Sequence, residues 1–159
     1  MNQIVKLHPA IILVSGTRGF ATIGADKKVL KGDARAAAWR AGMKRTINRL
    51  KSASKHVYLI GDTPASMLDP VLCLSVNPES VLGCSTPVEL AISTTWLAQE
   101  KSVADSEKIS WIDPTLWICS TDPCSPIVGS TLIYVDGGHL TAGFAFTLEK
   151  PLAKVISDP

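Results

Sequence analysis

Asp136-Gly137-Gly138-His139 is the segment of this chain best suited to chemistry. It places a carboxylate and an imidazole in one glycine-rich turn, directly after the apolar run Leu132–Val135. Held side by side, the carboxylate fixes the imidazole tautomer and stabilises its protonated form. The free ring nitrogen then becomes a general base for a serine hydroxyl. A pair spaced this way is a weak pattern by itself. Its bland alternative is a solvated turn with a histidine at a helix start.

The remaining candidates carry less. His8 precedes Pro9, and His56 sits between a helix end and a strand, both structural or solvated positions. Asp62 suits an Asx turn into Thr63-Pro64, and Asp113-Pro114 has the same character. Ser15-Gly16-Thr17-Arg18-Gly19 lacks the lysine and the spacing of a phosphate loop. Ser15 and Arg18 are nevertheless placed where a strand end faces a ligand, and they are the candidate substrate-binding residues.

The elements that must position these groups alternate. Residues 3–14 read as a buried strand with Ala10–Val14 as its core, and His56–Ile60 and Ile109–Ile112 as two more. Asp33 is the expected N-cap of a long helix from Ala34 to Ser54, with Ala36, Trp39, Met43, Ile47 and Leu50 on its apolar stripe. Residues 65–86 read as a long tied-down loop, and Pro87 to Gln99 as a helix. Ile127-Val128 and Leu132–Val135 form a small hairpin, and Leu140–Leu148 a helix ending before Pro151. This order predicts an α/β three-layer sandwich with a mainly parallel sheet, whose ligands sit at the carboxyl ends of the strands.

Composition narrows the class. The 159 residues are 46% hydrophobic and 19% charged, which excludes disorder as the main state. The longest apolar run, Ala10–Val14, is far too short to cross a bilayer, and the opening residues do not read as a signal peptide. Residues 27–56 hold ten basic residues against the single acid Asp33. With no interleaved aromatic except Trp39, which fits the apolar stripe, that segment reads as a solvated helix face balanced by an acidic remainder, and no nucleic-acid partner is expected.

Cys73, Cys84, Cys119 and Cys124 allow three pairings. Two local disulfides, Cys73–Cys84 and Cys119–Cys124, are the preferred reading, and they imply an oxidising compartment. The spacing is poor for zinc, and no metal site or cofactor is expected. A zinc site and four buried thiols stay open as alternatives.

The ordered motifs resemble a known family. They are Gly61-Asp62-Thr63-Pro64, the cysteines, Trp111-Ile112-Asp113-Pro114-Thr115, and Tyr134-Val135-Asp136-Gly137-Gly138-His139-Leu140-Thr141. Together they are similar to the later part of the SGNH domain fused to acyltransferase-3 membrane proteins, which modify bacterial surface polysaccharides. The likeness runs from about residue 5 to residue 150. It implies that His139 is the base and Asp136 its orienter in a Ser-His-Asp triad acting on acyl esters of cell-surface glycans. The partners it implies are an acyl donor, a glycan and an upstream membrane acyltransferase domain, on the periplasmic side. The Gly-Asp-Ser block that carries the family's nucleophile has no counterpart here. Residues 1–159 are therefore expected to be one partial domain lacking its first strand and helix. A catalytically inactive or glycan-binding remnant is the alternative.

Overall fold

The computed structural model describes residues 2–157. In chain order the elements are α1 (Asn2–Leu7), β1 (Ile11–Ser15), α2 (Gly32–Lys51), β2 (His56–Ile60), α3 (Pro70–Val76), α4 (Val88–Ala91), α5 (Thr94–Glu107), β3 (Ser110–Ile112), α6 (Thr115–Ile118), β4 (Ile127–Val128), β5 (Thr131–Leu132), α7 (Ala142–Thr147) and α8 (Glu149–Ser157). They group into two compact units. One holds residues 1–62 and 94–113, and the other holds residues 63–93 and 114–159.

The first unit is built on a parallel sheet in the order β1-β2-β3, with Ile12 beside Val57 and Leu59 beside Trp111. Its strands fall on the three short stretches read as strands in the sequence, Ile11–Ser15, His56–Ile60 and Ser110–Ile112. Alternation sends Ile12, Val57 and Leu59 to the face covered by α2 and α5. There Ile47, Leu59, Val103 and Ala104 are fully buried together. Each larger side chain contributes about 1.5–3 kcal/mol by leaving water. β1 lies at the sheet's edge, where Ile11 and Leu13 on the other face are 44% and 42% exposed.

The second unit holds a small core of Ile118, Ile133, Tyr134 and Phe144, and a second cluster of Ala91, Cys119 and Cys124. Disulfides join Cys73 to Cys84 and Cys119 to Cys124, with Cα–Cα distances of 5.8 and 4.9 Å. β4 and β5 pair antiparallel as a short hairpin.

Several expected boundaries move, for local reasons. Residues 3–14 are not one strand: α1 ends before His8, whose φ of 46° turns the chain ahead of Pro9. The long helix begins at Gly32, so Lys31 takes the N-cap position and supplies no side-chain cap, leaving Asp33 in the first turn. The stretch 65–86 contains α3, capped by Asp69, whose Oδ1 accepts the Leu72 N–H at 2.9 Å. The expected helix from Pro87 splits because Ile92 is extended, and α5 then runs eight residues past Gln99. Pro151 does not end the last helix. It sits in the first turn of α8, where its missing N–H would have had no helical partner.

Candidate functional site

The Asp136–His139 turn belongs to the second unit and is set by its backbone. Tyr134 and Leu140 form an isolated antiparallel bridge, and the Val135 N–H donates to the His139 carbonyl at 2.9 Å. Between these anchors Asp136 closes the turn on itself. Its Oδ1 accepts the N–H groups of Gly138 and His139, each at 2.8 Å. Its Oδ2 lies 2.7 Å from His139 Nδ1. Two backbone donors and the imidazole favour the carboxylate, and they hold the Asp136 carboxyl down to about 2. Asp136 is thus an anion at neutral pH. An anion on Nδ1 favours the tautomer with its proton there, which leaves Nε2 as the basic nitrogen. The His139 side chain is 84% exposed.

The turn is tied down from three sides. Ser66 donates its N–H to the Gly137 carbonyl at 2.9 Å, and a Cβ on Gly137 would stand 3.2 Å from the Ser66 carbonyl oxygen. Thr141 caps α7 by accepting the Phe144 N–H at 3.0 Å, and its hydroxyl donates to the Leu132 carbonyl. Tyr134, just before the turn, is buried, and its hydroxyl donates to the Pro64 carbonyl at 2.9 Å. Burial pushes the Tyr134 phenol up to about 12. Tyr134→Phe removes one buried hydrogen bond and leaves a carbonyl unpaired. The expected cost is about 1–2 kcal/mol in urea unfolding; an unchanged midpoint would show the contact to be idle.

Ser15 and Arg18 lie in the first unit. Ser15 ends β1, paired in register with Ile60. Arg18 is held by Asp62, whose Oδ2 accepts both the Arg18 N–H and its guanidinium at 3.2 Å. Asp62 therefore does more than shape a local turn: it anchors a loop 44 residues away.

Behind Asp62 lies a group that the sequence reading did not single out. Glu100, on α5, is fully buried. Its Oε2 accepts the Asp62 N–H at 2.9 Å, and its Oε1 accepts the Trp96 indole N–H at 3.1 Å. Burial dominates over these donors and pushes the Glu100 carboxyl up from 4.5 to about 7. Trp96 also packs on Trp39, with ring centroids 4.8 Å apart, and carries the Arg35 guanidinium 5.3 Å from its centroid. Gly61 leaves room for this cluster: a Cβ there would meet Leu97, Trp111 and Glu100 at 3.2–3.3 Å. The spacing Trp96, Leu97, Glu100, Val103, Ala104 is one buried helical stripe, and a glutamate on that stripe was the available signal.

Among the described residues, all four cysteines are in disulfides and no cluster of three or more His, Cys, Asp and Glu side chains could hold a metal. No described helix is long and apolar enough to cross a membrane.

The family model for the SGNH domain fused to AT3 domains matches residues 2–154. The chain belongs to this SGNH family. Among solved structures it is similar to the periplasmic domain of a lipopolysaccharide acetyltransferase from Salmonella ser. Paratyphi A, at 19% identity and a TM-score of 0.65. That alignment covers 98% of this chain and 60% of the Salmonella chain. It shows a shared fold, so the parallel sheet and covering helices are those of an SGNH-like α/β domain. No curated protein matches.

Proposed function

We propose that residues 1–159 are the acid–base part of an extracytoplasmic SGNH-type O-acyltransferase or esterase domain acting on acyl esters of cell-surface glycans. The 2.7 Å contact between Asp136 Oδ2 and His139 Nδ1 carries the reading. It is supported by the family match and by two disulfides, which suit an oxidising compartment. In this scheme His139 Nε2 takes the proton of a serine hydroxyl as the oxygen attacks the acyl carbonyl. The donor oxygen then leaves with that proton; a sugar hydroxyl, deprotonated by the same nitrogen, attacks the seryl ester, and the serine oxygen leaves with the sugar's proton as the acyl group passes to the sugar. Asp136 keeps the ring oriented. The serine comes from a Gly-Asp-Ser block in the parent polypeptide, together with a membrane acyltransferase domain.

The test is aryl-acetate hydrolysis by a polypeptide that carries the Gly-Asp-Ser block. His139→Ala should lower kcat by about 10³–10⁴ and Asp136→Asn by a similar factor. Turnover that survives His139→Ala would contradict the assignment.

A second reading is favoured by the exposure of the base. Among the described residues, His139 has Asp136 as its only side-chain hydrogen-bond partner. With no serine on Nε2, this chain by itself is inactive or a glycan-binding remnant. It then takes no covalent label from a serine-directed fluorophosphonate. Stoichiometric labelling would instead reveal a nucleophile within the chain, with Ser15 and Ser66 the first to check.

A further inference from the structure

Residues 18–31 form an arm laid against the first half of α2. Ile23 and Val29 pair as an antiparallel bridge, and the Leu30 N–H donates to the Thr22 carbonyl at 2.8 Å. Arg35, on α2, clamps the base of the arm, its Nη2 donating to the Arg18 and Phe20 carbonyls. Phe20 is left standing outward, 79% exposed. Phe20 and Ala21 border two hollows of the first unit. One, of about 340 Å³, lies at the start of α2, and the other, a groove of about 620 Å³, runs along the helix to Thr46.

The two hollows differ in chemistry. The smaller presents Arg18, Lys31 and Arg35 beside the apolar Val29 and Leu30. Asp62 offsets Arg18, but among the described residues no carboxylate stands within ion-pair distance of Lys31 or Arg35. The Arg35 guanidinium lies over the Trp96 ring, its Nε is buried without a partner, and its Nη1 makes no hydrogen bond to a described residue. A half-buried cation in that state gains from an anion that the chain does not supply. The groove has Trp39 and Met43 in its floor and hydroxyls around its rim. Among the described residues, the Ser15, Thr22 and Thr46 hydroxyls, the Trp39 indole N–H and the Arg45 guanidinium have no hydrogen-bond partner. No acidic side chain lines either hollow, and Asp33, in the first turn of α2, stands outside both.

This pattern selects an occupant. The smaller hollow calls for a single oxyanion. The groove calls for a ligand with an apolar face for its floor and many small polar groups for its rim. A sugar ring has that form: its C–H face stacks on an aromatic ring such as Phe20, and its hydroxyls both donate and accept around the edge. Arg35, Trp39 and Met43 follow at one-turn intervals, about 12 Å from first to last, which is the reach of a short oligosaccharide.

We propose that residues 18–31 and the first half of α2 bind an acidic oligosaccharide. Its carboxylate or phosphate lies between Lys31 and Arg35, one ring stacks on Phe20, and the next covers Trp39 and Met43 with its hydroxyls on Ser15, Thr22 and Thr46. The proposal deepens the proposed function, on whose glycan substrate it rests, and it uses no group of the Asp136–His139 turn.

The experiment is NMR titration of the isotope-labelled whole chain with tetragalacturonate, with maltotetraose, and with maltotetraose carrying one phosphate. The amide signals of residues 18–23, 31–35 and 39–46 should move. At least one acidic sugar should bind about tenfold or more tighter than maltotetraose, and the one that does names the acid. Phe20→Ala should weaken that binding about tenfold and Lys31→Gln severalfold. Both side chains are exposed, so the circular dichroism should stay that of the wild type. Lys150→Gln, in the second unit, should leave the affinity unchanged. The proposal is overturned if none of the three sugars moves these signals, if maltotetraose binds as tightly as the acidic sugars, or if Phe20→Ala keeps the wild-type affinity. It is equally overturned if a tetraglutamate peptide binds there as well as the sugars, or if the signals move with protein concentration alone, which would reveal a second copy in the groove. Sugar binding without aryl-acetate hydrolysis by the polypeptide that carries the Gly-Asp-Ser block would keep the groove and retire the acyl chemistry. Hydrolysis without sugar binding would do the reverse.

Discussion

Reduction of both disulfides should lower the melting temperature by about 10–20 °C, with the second unit failing first. The size follows from loop closure. Cys73–Cys84 spans a sequence separation of 11 and Cys119–Cys124 one of 5, which on the chain-entropy account are worth about 3 and about 2 kcal/mol. Together they approach the whole stability of an ordinary domain, about 5–15 kcal/mol. The second unit has little to fall back on. One of its two buried clusters is Ala91 with the half-cystines Cys119 and Cys124. The backbone bridge between Thr86 and Cys124 lies next to one disulfide in space and two residues from the other in sequence. Reduction therefore loosens the loop ends and the core at once. Calorimetry with and without reductant measures it, and the double variants separate the contributions. Cys73→Ala with Cys84→Ala should cost about 3 kcal/mol. The same melting temperature in both redox states would remove the disulfides from the stability of the chain. Four reactive thiols in the unreduced, denatured protein would remove them from the molecule.

What the sequence revealed and what it hid separate by range. The Asp136–His139 geometry was legible because it is local: a carboxylate that accepts the N–H groups two and three residues on needs no help from distant chain. The three parallel strands were legible because each is a short stretch rich in apolar and aromatic side chains that ends at a turn residue. The local cysteine pairing suited the same logic. Helix ends were harder, because Pro9, Ile92 and Pro151 act through their position within a turn and not through their presence. Glu100 was hidden for a stronger reason. A glutamate in a helix is ordinarily a surface residue, and only donors brought from elsewhere make its burial tolerable. One of them, the Asp62 N–H, is 38 residues away. The Arg18–Asp62 pair is long-range in the same way, joining residues 44 apart in the chain.

Glu100 also sets the pH dependence of stability expected in the acid-to-neutral range. In the unfolded chain its carboxyl ionises near 4.5, and in the folded chain near 7. Below 4.5 both states hold the proton, and the favourable contribution of the neutral acid is fully present. As pH rises toward 7 the unfolded state gives up a proton that the folded state keeps, so stability falls. A full shift of this size corresponds to about 3 kcal/mol between those limits. Asp136 works in the opposite sense, but only as pH falls from 3.8 toward 2, below the window of Glu100. The two groups therefore do not mask each other. Glu100→Gln keeps the shape and cannot ionise, so its stability should be nearly flat over the same interval. It still costs about 1–2 kcal/mol near pH 4.5, because an amide offers one acceptor where Trp96 and the Asp62 backbone present two donors. Glu100→Ala, which orphans both donors and leaves a cavity, should cost about 2–5 kcal/mol. Urea unfolding at pH values across the window measures all three proteins. A wild-type profile as flat as that of Glu100→Gln would mean that the folded chain solvates the Glu100 anion as well as water does. The Trp96 and Asp62 donors would then govern the group, and its burial would not.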